Sequence, residues 1–389
     1  MPLIALLRLL FSVASLALLG FAGYLLWTWY EGYVVVDAVD DLVRLREQWR
    51  LWTGLALLGW SLFGRLPMLL LLAGPDREAP TRPVRGNGEI IDGFNGARLY
   101  VEAHGPEGAP VLVLTHGWGL DSTIWCYARR QLAQRFRVVV WDLPGLGRSR
   151  GAISLDAFAR NLEAVIRWAG GPVVLVGHSI GGMTIQTLFQ HTDAQSARIC
   201  GVVLLNTTYT NPLKTMIWSR LMLALRRPLI EPMMRLAILL QPLVWLGAWQ
   251  GYLSGSAHLA NRIGFGRYPT RSQLDHNTLL ATRNPPGASA RGNLAMFRWD
   301  AVGAMAEAAA PVLVVTGQRD IVTRPSAGQA IAAAATSSAL IEVQGVNHMG
   351  FLERHADYNT AIAEFASSVF ARVDAEASLG VQSASGRMP

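Results

Sequence analysis

Nucleophilic chemistry needs a weak nucleophile, a base within reach and a group that orients the base. This chain offers those types at three well-separated places. The first is Val173-Val-Leu-Val-Gly177-His178-Ser179-Ile180-Gly181-Gly182, an apolar run ending in Gly-x-Ser-x-Gly. Such a run predicts a buried strand that turns sharply into a helix. The turn is so tight that a β-carbon at Gly177 or Gly181 would strike neighbouring backbone. It holds the Ser179 hydroxyl exposed, and the following helix points its positive end at developing negative charge. The second is Pro311-Val-Leu-Val-Val-Thr-Gly317-Gln-Arg-Asp320, a strand whose following loop ends in an acid. The third is Val343-Gln-Gly-Val-Asn347-His348, a strand followed by a loop histidine. A histidine activates a serine when a carboxylate fixes its tautomer and stabilises the imidazolium. Ser179 is therefore the expected nucleophile, His348 the base and Asp320 the orienting acid.

A fourth segment, Val111-Leu-Val-Leu-Thr-His116-Gly117-Trp118-Gly119, ends a strand in a glycine-rich turn with free backbone N–H groups. Acyl transfer needs two such donors for the oxyanion. The candidates are the N–H of Trp118 and that of Ile180, directly after the nucleophile, with His116, Gly117, Gly177 and Gly181 supporting the two turns. The remaining histidines, His258 and His276 among them, lack metal-ligand spacing. No metal or organic cofactor is expected.

These segments require a scaffold that brings distant loops to one rim. From about Gly86, short runs of Val, Ile and Leu alternate with helical stretches. Strands are expected at Arg98 to Ala103, Val111 to Thr115, Arg137 to Trp141, Val173 to Val176, Gly201 to Leu205, Val312 to Thr316 and Leu340 to Val343. Helices are expected at Ser122–Gln134, Leu155–Ala169, Gly181–Gln190, Pro325–Ala335 and Asp357–Val373. Alternation of this kind indicates a mainly parallel α/β sheet covered on both faces, with sites gathered at the carboxyl ends of its strands. A tail from Asp374, rich in Ser, Ala and Gly, is expected to be disordered.

With those motifs in place, residues 88–373 resemble the α/β-hydrolase superfamily. The stretch Asp142-Leu-Pro-Gly145-Leu-Gly147-Arg148-Ser149 is similar to that family's Asp-x-x-Gly-x-Gly-x-Ser loop. The resemblance implies the same roles for Ser179, His348, Asp320, Trp118 and Ile180, and a serine rather than aspartate nucleophile sets aside the dehalogenase and epoxide hydrolase branches. It also implies a lid where the chain leaves the core pattern, from Asn211 to about Trp299. Two departures are Asn347, where Gly is frequent in the family, and His355 in Glu353-Arg354-His355, where relatives often carry Pro.

The flanking composition adds a membrane reading. The chain has 389 residues, 51% of them apolar and only 16% charged, with a net charge of +7 and two cysteines. This excludes a disordered chain and a disulfide scaffold. The positive charge is almost all scattered arginine, without the basic stripe that nucleic-acid binding needs, so no nucleic-acid partner is expected. Leu9 to Trp29 is long enough to cross a bilayer without a charge, and too long for a signal peptide. Leu51 to Gly74, broken by Arg65 and Pro67, is read as a second span, with an interfacial helix or a helix lying on the core as alternatives. Arg77, Arg82 and Arg85 place the downstream domain on the cytoplasmic side of a bacterial inner membrane. Arg44, Arg46 and Arg50 in the intervening loop argue the other way.

The expected organisation is a membrane anchor (1–86), a core (87–210), a helical lid (211–299), a second core part (300–373) and the tail (374–389). Within the lid, Met216 to Tyr252 predicts two or three helices with a wide apolar face. That face either packs on the core or touches lipid and admits a hydrophobic substrate. The expected activity is a membrane-anchored serine hydrolase acting on a small hydrophobic ester or lipid. Acyl transfer, C–C hydrolysis and perhydrolysis by the same triad are alternatives, as is a non-catalytic membrane-tethered binding protein.

Overall fold

The computed structural model describes residues 2–191 and 198–385. Two short antiparallel strands come first, β1 (Tyr33–Val36) and β2 (Leu42–Leu45). The main sheet has eight strands: β3 (Gly88–Asp92), β4 (Arg98–His104), β5 (Val111–Thr115), β6 (Arg137–Trp141), β7 (Val173–His178), β8 (Ile199–Leu205), β9 (Val312–Gly317) and β10 (Ser338–Val343). Their order is β10-β9-β8-β7-β5-β6-β4-β3. The pairs from β10 to β6 are parallel, and near one edge β4 alone runs antiparallel, to both β6 and β3. This is the mainly parallel α/β sheet expected of the sequence. The strand β3, absent from the sequence reading, is a short, mostly exposed edge strand, so it carries none of the apolar run that marks a central strand.

The buried strands feed two core layers by simple alternation. Val113, Leu175, Leu204 and Val314 lie in one apolar cluster with the helix Leu155–Ala169. Leu114, Val176, Val203 and Val315 lie in the other, with the helix His355–Ser385. The helix Leu155–Ala169 begins where the Ser154 hydroxyl accepts from the Ala157 N–H at 3.1 Å, an N-cap that satisfies a free donor. Ser122–Gln134, expected as one helix, is a 3-10 turn at Ser122–Trp125 followed by a helix at Cys126–Leu132. Asp121 caps that turn through both the backbone and hydroxyl of Thr123, a local bond that holds the chain in tighter geometry.

The expected disordered tail also needs correction. The last helix continues past Asp374 to Ser385, and only 386–389 lie outside the described residues. Ala375, Glu376, Ala377 and Leu379 are strong helix formers, a preference that a count of small residues hides.

The N-terminal helix is Pro2–Glu31, of which Ile4–Glu31 is long and apolar enough to cross a membrane. The second apolar segment is not one straight span. It forms the helices Gln48–Phe63 and Arg65–Leu72, bent by 63° at Gly64. At the bend the segment meets the insertion. A β-carbon on Gly64 would lie 2.5 Å from the Ser254 carbonyl, so only glycine lets the chains meet there. Arg65 turns toward the protein, bonding the Tyr252 hydroxyl with Asp275 at 3.6 Å. Arg85, read from sequence as one of the charges flanking a span, is instead drawn into the core. It pairs with Asp121 at 2.9 Å and Asp142 at 3.0 Å.

Between β8 and β9 the chain is helical, with segments that include Ser219–Leu225, Glu231–Leu239, Gln241–Ser254, Ser256–Arg262, Arg271–Arg283 and Pro286–Met296. The N-terminal helix packs on this insertion. Its Ser15 hydroxyl lies 3.0 Å from that of Ser254 and 2.8 Å from that of Ser256.

Candidate active site

The sheet brings Ser179, Asp320 and His348 together at the carboxyl ends of β7, β9 and β10. Ser179 follows β7 directly, with φ 53° and ψ −117°, a backbone conformation that L-residues rarely adopt. The turn works only because its neighbours lack side chains. A β-carbon on Gly177 would lie 2.5 Å from the Gly181 backbone, and one on Gly181 would lie 2.2 Å from the Thr115 carbonyl oxygen. Held in this way, the Ser179 hydroxyl donates to His348 Nε2 at 3.0 Å, and His348 Nδ1–H donates to Asp320 Oδ2 at 2.9 Å.

Asp320 is fully enclosed and fully bonded. Its Oδ1 accepts from the N–H groups of Val322 (2.8 Å) and Thr323 (2.9 Å), and its Oδ2 from Asn206 Nδ2 (2.9 Å) and the Thr323 hydroxyl (2.8 Å). Burial alone would raise the carboxyl's pKa. The adjacent His348 and these donors outweigh it, and the group stays below the usual carboxylate range. An ionised Asp320 thus faces the imidazole at Nδ1, leaving Nε2 as the acceptor for the serine proton.

His178, the variable residue of Gly-x-Ser-x-Gly, holds the histidine loop. Its Nε2–H donates to the His348 carbonyl at 3.0 Å, and its ring lies 4.9 Å from that of His348. Complete burial, with the neighbouring His348 adding to it, pushes its pKa well below the ordinary value. It is therefore neutral and puts no second positive charge beside the base. The β-carbon missing at Gly117 would fall 2.6 Å from His178 Nδ1, which explains the glycine after His116.

His116 fixes the turn after β5. Its Nε2 accepts from the Leu143 N–H at 3.0 Å and its Nδ1–H donates to the Gly117 carbonyl at 2.8 Å. Trp118 follows on that turn, and Ile180 opens the helix Ile180–Gln190, whose first N–H groups have no partner within the helix. The indole of Trp118 is covered by the insertion: its Nε1–H donates to the Ser289 carbonyl at 2.9 Å, and a β-carbon on Gly292 would overlap the ring at 2.0 Å. In the Asp142–Ser149 loop, Asp142 accepts from Ser122 N and Arg148 N, each at 2.8 Å, while the Ser149 hydroxyl accepts from Tyr100 N at 2.9 Å.

Asn206 escaped the sequence reading, and Asn347, Glu353 and His355 were noted there without a structural role. Asn206, at φ 45° beyond β8, bridges Asp320 and the Tyr358 hydroxyl (2.8 Å). Its position at the end of a core strand was the available signal. Asn347 accepts from Ile321 N (3.0 Å) and its own neighbour His348 N (2.8 Å), and donates to Ile263 O (2.8 Å). The departure from glycine thus ties the acid loop, the histidine loop and the insertion together. Glu353 accepts from Gly266 N at 2.5 Å and Tyr268 N at 2.9 Å, while His355 stacks on Tyr127 at 3.7 Å.

The Alpha/beta hydrolase family model matches residues 112–361, well over half of the chain. This chain belongs to the alpha/beta hydrolase family. Among curated relatives, a pimeloyl-[acyl-carrier protein] methyl ester esterase of Nitrosospira multiformis is 40% identical over 116 residues, covering 28% of this chain and 42% of that esterase. The chain therefore spans well under half the length of that relative. Among solved structures, an esterase from Thermogutta terrifontis aligns with TM-score 0.53 and 23% identity, over 73% of this chain and 99% of its own. An esterase from Exiguobacterium antarcticum aligns with TM-score 0.57 and 16% identity, over 72% and 100%. At these identities the two solved structures establish the shared fold. The part of this hydrolase that they leave unmatched is about a quarter of the chain.

Proposed function

We propose that this hydrolase is a membrane-anchored serine esterase that cleaves a carboxylic ester of a hydrophobic substrate. The observation that carries the reading is the continuous chain from Ser179 Oγ to His348 Nε2 (3.0 Å) and from His348 Nδ1 to Asp320 Oδ2 (2.9 Å). In the first step Ser179 Oγ bonds to the ester carbonyl carbon while His348 Nε2 takes its proton. The oxyanion is met by the N–H groups of Trp118 and Ile180. His348 then returns the proton to the departing alcohol, leaving an acyl-enzyme. Water, deprotonated by the same nitrogen, attacks the acyl carbon, and the acid leaves as Ser179 recovers its proton. Asp320 holds the imidazole in the required tautomer throughout, and neutral His178 fixes the loop that carries it. No metal or organic cofactor enters this scheme.

The anchor rests on the helix Ile4–Glu31, about 42 Å long at 1.5 Å per residue against an apolar bilayer core of about 30 Å. Its distal end carries exposed Trp27 and Tyr30, followed by Tyr33 of β1, and the returning segment carries exposed Trp49 and Trp52, the amphipathic rings that settle at a membrane–water boundary. Arg46 stands 5.4 Å from the Trp29 ring at the same level. In this reading residues 1–86 anchor, and 211–299 form a lid whose exposed Leu236, Leu239 and Leu243 meet lipid.

Fluorophosphonate labelling of membrane fractions, followed by an ester panel of increasing acyl length, tests the reading. The wild type should label in the membrane fraction and prefer longer acyl chains, and Ser179→Ala should lose labelling and about 10⁵–10⁶-fold in kcat. Native-rate hydrolysis by Ser179→Ala overturns the nucleophile. Labelling confined to the soluble fraction overturns the anchor.

A further inference from the structure

The N-terminal helix does more than lie beside the insertion. Its first turns wall a cavity beside the candidate active site, lined by neighbours of Ser179 and His348 and not by those two residues themselves. Ile4, Ala5 and Arg8 line it from one side, and Trp118 and Met349, the latter next to His348, from the other. Ala5, Arg8 and Ser289 are shared with an adjoining cavity beneath the helix Glu231–Leu239. That cavity shares Leu9, Ser12 and Met233 with a third, an apolar groove running outward between the N-terminal helix and the insertion. The groove ends at Val13, Leu236 and Leu243, all exposed.

Arg8 sits at the junction. Several part-buried arginines are matched by acids: Arg85 by Asp121 and Asp142, Arg129 by Glu102 at 3.1 Å, Arg226 by Glu231 at 2.8 Å. Arg137 and Arg262 donate to carbonyls instead, and Arg8 does so with its head group on a cavity. Among the described residues no acidic side chain pairs with Arg8; its Nη2 donates to the Ala281 carbonyl at 2.8 Å. A guanidinium has five N–H donors in a fixed fork, so most remain available. Asn277 is the second observation. It is 6% exposed, lines the same cavity, and makes no side-chain hydrogen bond to any other described residue. Asn277 and Ala281 are four apart in the helix Arg271–Arg283, so both face the same way. A cation without a counter-ion and an unpaired buried amide are each costly to leave so. Together they supply what a carboxylate or phosphate needs.

We propose that Arg8 and Asn277 bind the anionic group of an amphiphilic substrate whose apolar chain lies in the groove toward the bilayer. The inference rests on the esterase reading and narrows its substrate class. The full-length protein in detergent is assayed with p-nitrophenyl butyrate, and octyl phosphate, octanoate and octanol are compared as inhibitors. In the wild type the anionic amphiphiles should inhibit at concentrations about 10-fold or more below that of octanol, the scale of one charge-assisted hydrogen bond. The stronger of the two anions identifies the group. In Arg8→Gln that ratio should fall to about 3-fold or less, Arg8→Lys should keep most of it, and Asn277→Ala should lower it without abolishing it. A wild type with no preference, or an Arg8→Gln protein that keeps it, overturns the proposal. Fluorophosphonate labelling of the same samples separates the two readings. Lost labelling of the wild type sinks the esterase, whereas intact labelling with an unchanged ratio sinks only the anion site.

Discussion

The rim of the sheet and the face made by the N-terminal helices with the insertion follow opposite rules. At the rim, the Asp320–His348 pair is buried and its polar groups are matched: both oxygens of Asp320 accept two or more bonds, and His348 bonds on either side. On the other face, large apolar side chains stand open: Trp27 is 62% exposed, Leu71 78% and Leu239 75%. A water-facing surface of that kind is unfavourable over more than a few hundred Å². The difference teaches where each region finds its partner. The rim is completed within the chain, and in the proposed reading the apolar face is completed by lipid.

The sharpest way to break this contrast is to disturb the matching at the rim. Asp320→Asn keeps the size of the side chain but removes the charge opposite His348 Nδ1 and favours the wrong tautomer. A loss of about 10⁴ in kcat is expected, with the fold retained by circular dichroism. A loss below about tenfold would show that Asp320 does not orient the base.

Acid should separate the regions by stability. His116 and His178, at the rim, are buried and held below their ordinary pKa chiefly by burial. The folded chain keeps them neutral, while the unfolded chain protonates them near pH 6.5. Stability is therefore intact above pH 6.5 and falls as the pH drops below it, by up to about 1.4 kcal/mol per unit for each histidine. Residues 1–86 contain no histidine. A falling Tm between pH 6.5 and 5, with membrane attachment unchanged over that range, is the expected outcome. A flat Tm would mean that these histidines are not neutral in the folded protein.

Asn347→Ala should act more mildly. It leaves the Ile321 and His348 N–H groups and the Ile263 carbonyl without their side-chain partner, at about 1–3 kcal/mol. Because both triad loops pass through this residue, kcat should fall more than KM changes. Equal activity with lowered Tm would make Asn347 structural alone.

The same contrast explains what could be read in the sequence. That Ser179 and Asp320 would meet was legible because each follows a strand buried on both faces, and such strands announce themselves as apolar runs with turn residues after them. His348 follows the exposed edge strand β10, and only its short apolar stretch and the turn after it marked the place. The core helices were legible from their spacing, with Leu155–Ala169 matching to the residue. Asn206 and Asn347 were not, because an asparagine in a loop carries no period and its role lies in what it touches across the fold. The bend at Gly64 escaped for a related reason: composition gives the length of an apolar segment, whereas its path is set by a contact with Ser254 from a distant part of the chain. Arg8 and Arg85 show the limit most clearly. Both are single arginines near apolar stretches. One is paired with two acids in the core and the other with a carbonyl beside a cavity, a difference that no local pattern encodes.

The smallest effect comes from making one substitution in both regions. Gly181 and Gly54 are both tightly packed glycines on helices. At Gly181 an added β-carbon meets the Thr115 carbonyl oxygen at 2.2 Å and the His116 carbonyl oxygen at 3.1 Å. Both belong to backbone fixed by strand pairing, so Gly181→Ala should abolish activity and fold poorly. At Gly54 the β-carbon meets Leu26 Cδ2 and Cγ at 2.8 Å, with the Ala22 carbonyl at 3.4 Å. A leucine tip on a helix whose outer side is open can change rotamer at about 1 kcal/mol, and alanine regains a similar amount of helix propensity over glycine. Gly54→Ala should therefore shift Tm by no more than a few degrees and leave labelling and membrane attachment intact. Should Gly54→Ala prove as damaging as Gly181→Ala, the N-terminal pair would be packed as rigidly as the sheet rim, and the division between a self-completed site and an externally completed face would fail.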